Sequence, residues 1–526
     1  MHYGRYDIYT DVPQITSDNI IKVLRESYAV HVKNAQACNF LLKYDAGEQP
    51  FFRKKTIRPD IDHHTVDNVA NEITEFKLGF NWGYPITLIR RGEKDSGTQD
   101  EVEAIAQLNE QYEVDGNKDK TQRLGRFVEI CGRGYTFVDI NKNWSEGEPY
   151  FTVQALDPRF AFIVRSSRYV DRRPVLGVTF RIDTKGNIYF TCYTDKQRFE
   201  VKNLSALLAD APSADEYGWT QEENSGSLNY LGMIPIIEWN RSHDGQGCFE
   251  RQIPECDNLN MLVSDFSNQV DQNTQAVWFT VDVAFPVNPD TGETETPQNG
   301  DWLAAQTTAD GKTPTATPLV VPYDYSGMLN NILSRRSLIL QKCNVPQRTD
   351  DINGATGIAV SDSSGWSAAE TAACKQQAIM ETAKMQEVKA VLKAIKASPD
   401  VPADSPLLKL RAIDVMPNIK RQRTYELTTK SNAFATLVAH GIDGLSAIKT
   451  VNMFDDPMQV YSDSKVLIDK YQKSIFEKQT QTARNTTGTY NWHSNTNTQN
   501  DDNFSPNRDR MSGDNSDQEQ NSPNMK

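Results

Sequence analysis

A glycine- and serine-rich stretch is the first part of the chain whose residue types could do chemistry. Gly354 and Gly357 form a Gly-x-x-Gly pair, and Ser361, Ser363 and Ser364 follow it. Such a stretch could wrap a phosphate group with its backbone N–H groups. A P-loop, however, also needs a preceding strand and a Gly-Lys-Ser/Thr sequence that opens a helix, and the sequence predicts neither at this place. The pattern therefore favours a flexible turn over nucleotide binding.

Histidine, cysteine and carboxylate residues form no recognisable metal or catalytic motif. His63 and His64 are adjacent but lack the His-Glu-x-x-His spacing of a helical zinc site. The cysteines are scattered without a Cys-x-x-Cys pair, at Cys38, Cys131, Cys192, Cys248, Cys256, Cys343 and Cys374. Carboxylates are plentiful, but the sequence cannot pair any of them across a cleft. We therefore predict no metal site, no cofactor and no enzymatic activity.

Composition indicates an acidic, globular protein. The chain has 526 residues, a formal net charge of −14 and a pI near 5.1. This length is enough for about two to four domains. An acidic chain is a poor candidate for tight electrostatic binding of nucleic acid, because such binding needs basic patches. It can still let DNA pass, because a weakly repulsive wall allows a polyanion to slide.

Targeting signals and cysteine usage favour the cytoplasm. Met1 to Pro13 lack the basic and apolar regions of a secretory signal. No run approaches the roughly 18 apolar residues that would span a membrane. An odd, scattered set of cysteines predicts free, buried thiols in a reducing compartment.

The order of elements between Ile253 and Ala397 is the most informative feature of the chain. A first helix is predicted over 253–283 from apolar residues at helical spacing, namely Leu259, Leu262, Val263, Phe266, Val270 and Val277. A proline-rich insert over 284–322 cannot continue this helix. A second helix follows over 323–345 and stops at Pro346. Two helices that bracket a small insert form a hairpin with a decorated tip, which suggests an assembly part rather than a catalytic cleft.

A loop and further helices complete the C-terminal half. The loop covers 346–366, and an Ala-, Lys-, Glu- and Gln-rich helix follows over 367–397. Residues 398–477 contain shorter helical runs, predicted at 423–440, 444–454 and 463–471. Residues 478–526 are mostly polar with almost no aliphatic side chains, so we expect disorder, because they cannot bury enough surface to offset the ordering entropy.

The N-terminal half combines helices with antiparallel strands. Thr16-Ser17-Asp18 precede a helical run over 19–43, and a second run covers 63–78. Stretches rich in β-branched and aromatic residues then predict successive antiparallel strands at 136–140, 150–155, 161–165, 175–183 and 188–193. Lys185-Gly186-Asn187 is a hairpin-type turn between the last two. The predicted fold class is therefore α+β.

This order and spacing of elements resembles the portal proteins of tailed double-stranded DNA bacteriophages, in particular the long-tailed siphophage type. The resemblance covers most of residues 16–475. It is carried by Asp257–Phe285, Ala284–Pro322 and Tyr323–Val345, together with Gly354-Ala355-Thr356-Gly357-Ile358-Ala359 in the loop. It implies a portal-like, multi-domain α+β subunit that assembles into a ring.

The resemblance also implies a division into parts. In chain order these are a wing (1–252), a first stem helix (253–283), a clip (284–322), a second stem helix (323–345), a tunnel loop (346–366), a long wing helix (367–397), a crown-like helical region (398–477) and a disordered tail (478–526).

The tunnel loop and the second stem helix would then meet the DNA. The channel candidates are Arg348, Asp350, Asp351, Asn353, Gly354 and Gly357 in the loop and Arg335, Arg336 and Lys342 on the helix. From the residue types alone, the loop could equally be a solvated surface loop. The helical cations more often form a solvated face or pair with a neighbouring carboxylate. Both alternatives stay open at this point.

The implied function is a channel at one capsid vertex through which double-stranded DNA is packaged and ejected without sequence specificity. The implied partners are further copies of the chain in a dodecamer, the terminase large subunit, the major capsid and scaffolding proteins and the head-to-tail adaptor. The ring would assemble in the host cytoplasm and remain in the virion, without membrane contact. The alternative is another structural virion protein, such as a tail or baseplate component, which should form a hexamer or trimer.

Overall fold

The computed structural model describes most of the chain up to Ser474. The described residues are 4–51, 59–91, 99–203, 218–222, 225–274, 278–281, 289–292, 315–318, 323–347, 365–421, 426–451, 453–454, 460–461, 464–468, 470–471 and 473–474. Most of 284–322, most of 346–366 and all of 478–526 lie outside these residues. The expectations for the clip, the tunnel loop and the tail therefore stay predictions.

Helices dominate the first part of the chain. They are α1 (Ile20–Asp45), α2 (Val69–Trp82), α3 (Gln99–Val114) and α4 (Asn117–Cys131). Helix α1 confirms the run predicted over 19–43. The run predicted over 63–78 is wrong at its start, because residues 63–68 are not helical and α2 begins after Asn68. The Asn68 side chain caps α2 by accepting a hydrogen bond from the backbone N–H of Asn71.

Two sheets form the body of this N-terminal half, and they contain all of its strands except β2. The strands of this half are β1 (Ile8–Thr10), β2 (Thr87–Arg90), β3 (Arg133–Ile140), β4 (Phe151–Leu156), β5 (Ala161–Ser166), β6 (Pro174–Ile182), β7 (Ile188–Tyr193), β8 (Gln197–Asn203), β9 (Trp219–Gln221), β10 (Ser227–Leu228) and β11 (Ile236–Asn240). A seven-stranded sheet has the order β1-β5-β6-β7-β8-β10, with β9 paired to β8. A three-stranded sheet has the order β11-β3-β4.

The five predicted strands are confirmed as β3 to β7, but they do not form one antiparallel series. Strands β4 and β5 lie in different sheets, and the chain turns between them at Asp157 to Phe160. Strand β1 joins the larger sheet beside β5 and runs parallel to it, with Ile8 opposite Val164. The predicted hairpin turn is present, with Gly186 at a φ of 82°.

The C-terminal half contains the predicted helical hairpin and long helix. Its elements are α5 (Ile253–Thr274), β12 (Trp278–Val281), β13 (Thr315–Pro318), α6 (Tyr325–Lys342), α7 (Trp366–Ala397), β14 (Val415–Asn418), α8 (Glu426–Ala439) and α9 (Gly444–Val451). The helix predicted over 253–283 is wrong at Trp278–Val281, because these β-prone residues form a strand that pairs antiparallel with Thr315–Pro318. The mixture of helices and sheets confirms the α+β class.

Helix α7 fills the centre of one hydrophobic core. Its residues Val388, Val391 and Ile395 are fully buried in a cluster with Trp82 and Trp239. Leu407, Leu410 and Val415 belong to the same cluster, and β14 pairs with β2. Residues 398–421 therefore pack with the N-terminal body, although the sequence groups them with a separate crown-like region.

Helix α1 connects two other cores. On one side it covers the seven-stranded sheet, where Leu24 packs with Phe162, Val178 and Phe190. Near its end, Leu41 belongs to a core that also includes residues of α2, α5 and α6. That core contains the thiols of Cys38, Cys131, Cys248, Cys256 and Cys343. The prediction of free buried thiols is confirmed for these residues and for Cys192, but Cys374 is exposed.

Candidate DNA-channel helices

Helices α5 and α6 run antiparallel as a hairpin. Near one end, Phe266 and Tyr325 meet edge to face with their ring centroids 6.0 Å apart. Near the other end, the Lys342 ammonium lies 3.6 Å from the Glu255 carboxylate. Buried Leu259 and Ile339 attach this hairpin to the core that includes α2. The hairpin is therefore anchored along its length rather than free in solvent.

Local hydrogen bonds determine where α6 begins and ends. The Asp324 side chain accepts a hydrogen bond from the backbone N–H of Gly327 at 2.8 Å, which caps the first turn. At the other end Asn344 has a φ of 53°, a conformation that asparagine tolerates better than most residues. The Lys77 ammonium of α2 donates to the carbonyl oxygen of Asn344 at 3.0 Å. Burial lowers the pKa of Lys77, because the charged form of a buried amine is unfavourable. The end of the hairpin therefore contacts a buried amine whose charged form costs free energy.

A polar stripe on α5 binds the segment that precedes α2. Asn260, Ser264 and Asn268 are buried and stand four residues apart, so they share one face of the helix. They accept hydrogen bonds of 2.8 to 2.9 Å from the backbone N–H groups of Asp67, Thr65 and His63, respectively. Four helical residues rise about 6 Å, and two extended residues span about 6.6 Å. The two spacings match, so alternate residues of the segment meet successive turns of α5.

The basic residues predicted for the channel have different surroundings. Arg335 and Lys342 stand seven residues apart, which is two helical turns, and both are about 40% exposed beside Glu255. The Arg335 guanidinium lies 3.7 Å from the same carboxylate. Arg336 instead turns towards α2, where it binds Asp67 at 3.2 Å and also contacts Glu72.

This arrangement divides the predicted set. Arg336 ties the hairpin to α2, whereas Arg335 and Lys342 share one carboxylate on a half-exposed face. Each exposed ion pair of this kind contributes about 0.2–1 kcal/mol to stability and restricts the two side chains only weakly. The loop candidates Arg348, Asp350, Asp351, Asn353, Gly354 and Gly357 lie outside the described residues.

A buried carboxylate joins helices α2 and α4 to the long helix α7. Glu129 of α4 is fully buried, and one of its oxygens accepts hydrogen bonds from Trp82 at 3.0 Å, Gln376 at 2.6 Å and Asn81 at 3.3 Å. Its other oxygen pairs with Arg241 at 2.9 Å. Burial alone would raise the pKa of Glu129, but Arg241 and these donors lower it below its ordinary value. One ionised group thus connects α2, α4, α7 and the chain after β11.

The surface beside this carboxylate is a wide groove of about 930 Å³. Arg241, His243, Asn344, Ser367 and Lys375 are among the residues that line it. Across the part of the chain that the structure describes, no cluster of His, Cys, Asp and Glu side chains is arranged to hold a metal ion. Within the same ranges, none of the helices has the length and apolar character needed to cross a bilayer.

Comparison with protein families gives a match that covers most of the chain. The model of the family described as phage portal protein, SPP1 Gp6-like, matches residues 54–473. A search of curated proteins finds no significant match. The matched range includes every element from α2 to α9, and with them the α5–α6 hairpin and the long helix.

The chain belongs to this family. It has the function of a phage portal protein, a virion component at the capsid vertex that serves genome packaging and connects head and tail. Portal membership confirms the resemblance seen in the sequence and leaves the tail or baseplate alternative without support. It also points to a structural rather than an enzymatic role, and to ring assembly with contacts to capsid, terminase and DNA in general.

Sequence reasoning missed three features of this portal region. It did not find the Glu129 network, because the partners of Glu129 come from three separate parts of the chain. It placed Arg336 with Arg335, although neighbouring helical residues point about 100° apart. It also overlooked the polar stripe on α5, whose signal is visible as Asn and Ser residues at a spacing of four.

Proposed function

We propose that twelve copies of this portal chain close head to tail into a ring and that the α5–α6 hairpin faces its channel. Heterologous contacts close into a ring when the rotation between neighbours divides a full turn. Support comes from the family match together with an antiparallel helix pair whose connection carries the β12–β13 ribbon. In this arrangement α5 and α6 are the stem helices, and the residues between them form the clip.

The division into parts follows the sequence prediction with one change. Residues 1–252 and α7 form the wing, and 346–366 form the tunnel loop. Residues 398–421 join the wing, because β14 pairs with β2 and Leu407 lies in the core around α7. The crown then begins near α8.

Arg335 and Lys342 are our candidates for the channel wall. Two cations share the single carboxylate of Glu255, so the patch is only weakly positive. A weakly positive patch can attract phosphate groups transiently, whereas a row of unpaired cations would hold them and slow their passage. The loop residues Arg348, Asp350, Asp351, Asn353, Gly354 and Gly357 remain proposed DNA contacts on the basis of the sequence.

The proposed partners follow the family role. We propose that the clip binds the terminase large subunit during packaging and the head-to-tail adaptor afterwards. The wing would contact the major capsid and scaffolding proteins. Assembly would take place in the host cytoplasm, before the particle leaves the cell.

A packaging assay with a double variant tests the channel assignment. We expect Arg335→Gln with Lys342→Gln to leave ring formation intact and to change the rate and salt dependence of DNA packaging, because phosphate contacts weaken as salt rises. A matched control is Lys185→Gln with Arg181→Gln, which removes the same charge from the exposed β6–β7 end of the wing sheet. Unchanged packaging in both variants would contradict the assignment of Arg335 and Lys342.

A further inference from the structure

One end of the seven-stranded sheet carries an unusual concentration of exposed apolar side chains. Tyr169 and Val170, in the β5–β6 turn, are 83% and 99% exposed. Tyr230 is 80% exposed and follows β10, which pairs with β8 just after the β7–β8 turn. In antiparallel strands these two turns lie at the same end of the sheet. The exposed side chains therefore belong to one end of the sheet.

Arginines accompany these apolar side chains. The Arg172 guanidinium lies 5.3 Å from the ring centroid of Tyr9 and 4.9 Å from that of Tyr169, so two aromatic rings hold it in place. Arg168 is exposed in the same turn. We call Tyr9, Arg168, Tyr169, Val170, Arg172 and Tyr230 the sheet-end surface. Tyrosine and arginine are among the residue types that most often supply binding energy at protein interfaces.

An acidic surface lies on helix α3. Glu103, Glu110 and Glu113 are exposed there. Helical geometry puts them on one face, opposite to the buried residues Leu108 and Tyr112. No salt bridge involves these three glutamates among the described residues. The acidic face of α3 is thus available to a cationic partner.

The two surfaces belong to elements that pack in different cores, the larger sheet in one and helix α3 in another. The seven-stranded sheet meets the smaller sheet through Ile163 of β5 and Ile236 of β11. Across the smaller sheet the order is β11-β3-β4. Helix α3 packs beyond β3 at β4, where the rings of Tyr112 and Phe151 are 5.0 Å apart. Helix α3 therefore packs on the smaller sheet, whereas the sheet-end surface belongs to the larger one.

We propose that the sheet-end surface of one subunit binds the acidic face of α3 on the next subunit. The proposal rests on the ring proposed above, since a head-to-tail ring needs two different, complementary surfaces. Cationic and aromatic residues meet carboxylates in this contact, and the strongly acidic chain makes a second copy a suitable partner. Neighbouring copies would then be joined in the wing as well as through their stem helices.

Charge reversal in the purified full-length chain tests this pairing. We expect Arg168→Glu with Arg172→Glu to reduce the ring fraction about tenfold or more at low salt, because like charges would then face each other. Glu110→Arg with Glu113→Arg should do the same. The chain that carries all four substitutions should regain rings, because both charges are exchanged. Particle counts by electron microscopy, with circular dichroism to confirm folding, provide the measurement.

A matched control distinguishes the possible outcomes. Arg181→Glu with Lys185→Glu makes the same change of charge at the opposite end of the same sheet and should leave the rings intact. Wild-type amounts of ring in either test variant would overturn the pairing, as would failure of the fourfold variant to recover while it remains folded. Absence of rings from the wild-type chain would instead refute the proposed ring itself.

Discussion

Substitution of Glu129 tests how helices α2 and α4 are tied to the long helix α7. In Glu129→Gln the side chain keeps its shape and one acceptor oxygen for Trp82 and Gln376. The new amide group, however, faces Arg241, whose guanidinium then has no counterion at 2.9 Å. Removal of one partner from a buried ion pair costs about 3–5 kcal/mol. Because the Arg241 side chain is still 23% exposed, we expect a loss near the lower end, about 3 kcal/mol.

Urea denaturation of the wild type and variants measures this loss. About 3 kcal/mol corresponds to roughly a hundredfold change in the unfolding equilibrium, which is well outside the error of a midpoint comparison. The double variant Glu129→Gln with Arg241→Met should lose less than the sum of the two single variants, because it leaves no uncompensated charge. A loss below about 0.5 kcal/mol for Glu129→Gln, the range of ordinary surface substitutions, would show that the ion pair of Glu129 and Arg241 does not stabilise the fold.

The pH dependence of the same site has a definite sign. The pKa of Glu129 is lowered in the folded protein, so its contribution to stability is present above the ordinary pKa of a glutamate. It decreases as the pH falls through the lowered pKa. The stability difference between the wild type and Glu129→Gln should therefore shrink in acid, and a difference that grows there would contradict the assignment.

Three further predictions follow from buried contacts. His31 is stacked on Phe162, and burial lowers its pKa to about 4 from the ordinary 6.5. Between these two pH values only the unfolded chain binds the proton, so the free energy of unfolding should fall by about 3 kcal/mol as the pH drops through this interval. In acid titrations, His31→Gln should remove this pH dependence. Ser264→Ala should cost about 1–3 kcal/mol in thermal unfolding, because the N–H of Thr65 loses its buried acceptor. Gly132→Ala should destabilise the fold by more than about 1 kcal/mol in the same assay, since Gly132 has a φ of 75° and a Cβ would lie 2.2 Å from the Gly245 carbonyl oxygen.

Each of these predictions has a matched control. A wild-type acid transition in His31→Gln would show that another group is responsible. Ser267→Ala removes a part-buried hydroxyl of the same helix, which donates to the Val263 carbonyl oxygen and, among the described residues, forms no hydrogen bond outside α5. A loss equal to that of Ser264→Ala would therefore contradict the role of the stripe. Gly116→Ala also has a positive φ but meets no neighbouring atoms within 4 Å, so its cost should be the smaller one.

Local sequence patterns predicted the elements that are regular over many residues. Strands β3 to β7 and helices α1, α6 and α7 appear where periodicity or β-branched content placed them. Strands β1, β2 and β14 were missed, because each is only three or four residues long and exists through pairing with a distant partner. Residues 63–68 were assigned to a helix because of their apolar spacing. In the folded protein this segment instead donates backbone hydrogen bonds to side chains of α5, and the local sequence does not show this contact.

The candidate site was predictable in outline but not in detail. Proline content and the interrupted helical pattern identified the hairpin and its insert, since those signals are local. Arg336 contacts different groups from Arg335 and Lys342. This difference depends on the positions of α2 and Glu255, which are set by the tertiary structure and not by the local sequence. Burial of Glu129 could not be foreseen, because a carboxylate in a helix is more often solvated.

The proposed function requires this chain to close into a ring around a channel wide enough for duplex DNA. Electron microscopy of the purified chain, with rotational symmetry scored from end-on views, tests this requirement. We predict rings of about twelve subunits with an open axial hole, in keeping with a closed head-to-tail assembly. A population of monomers, or of hexamers or trimers without an axial hole, would contradict the proposed ring.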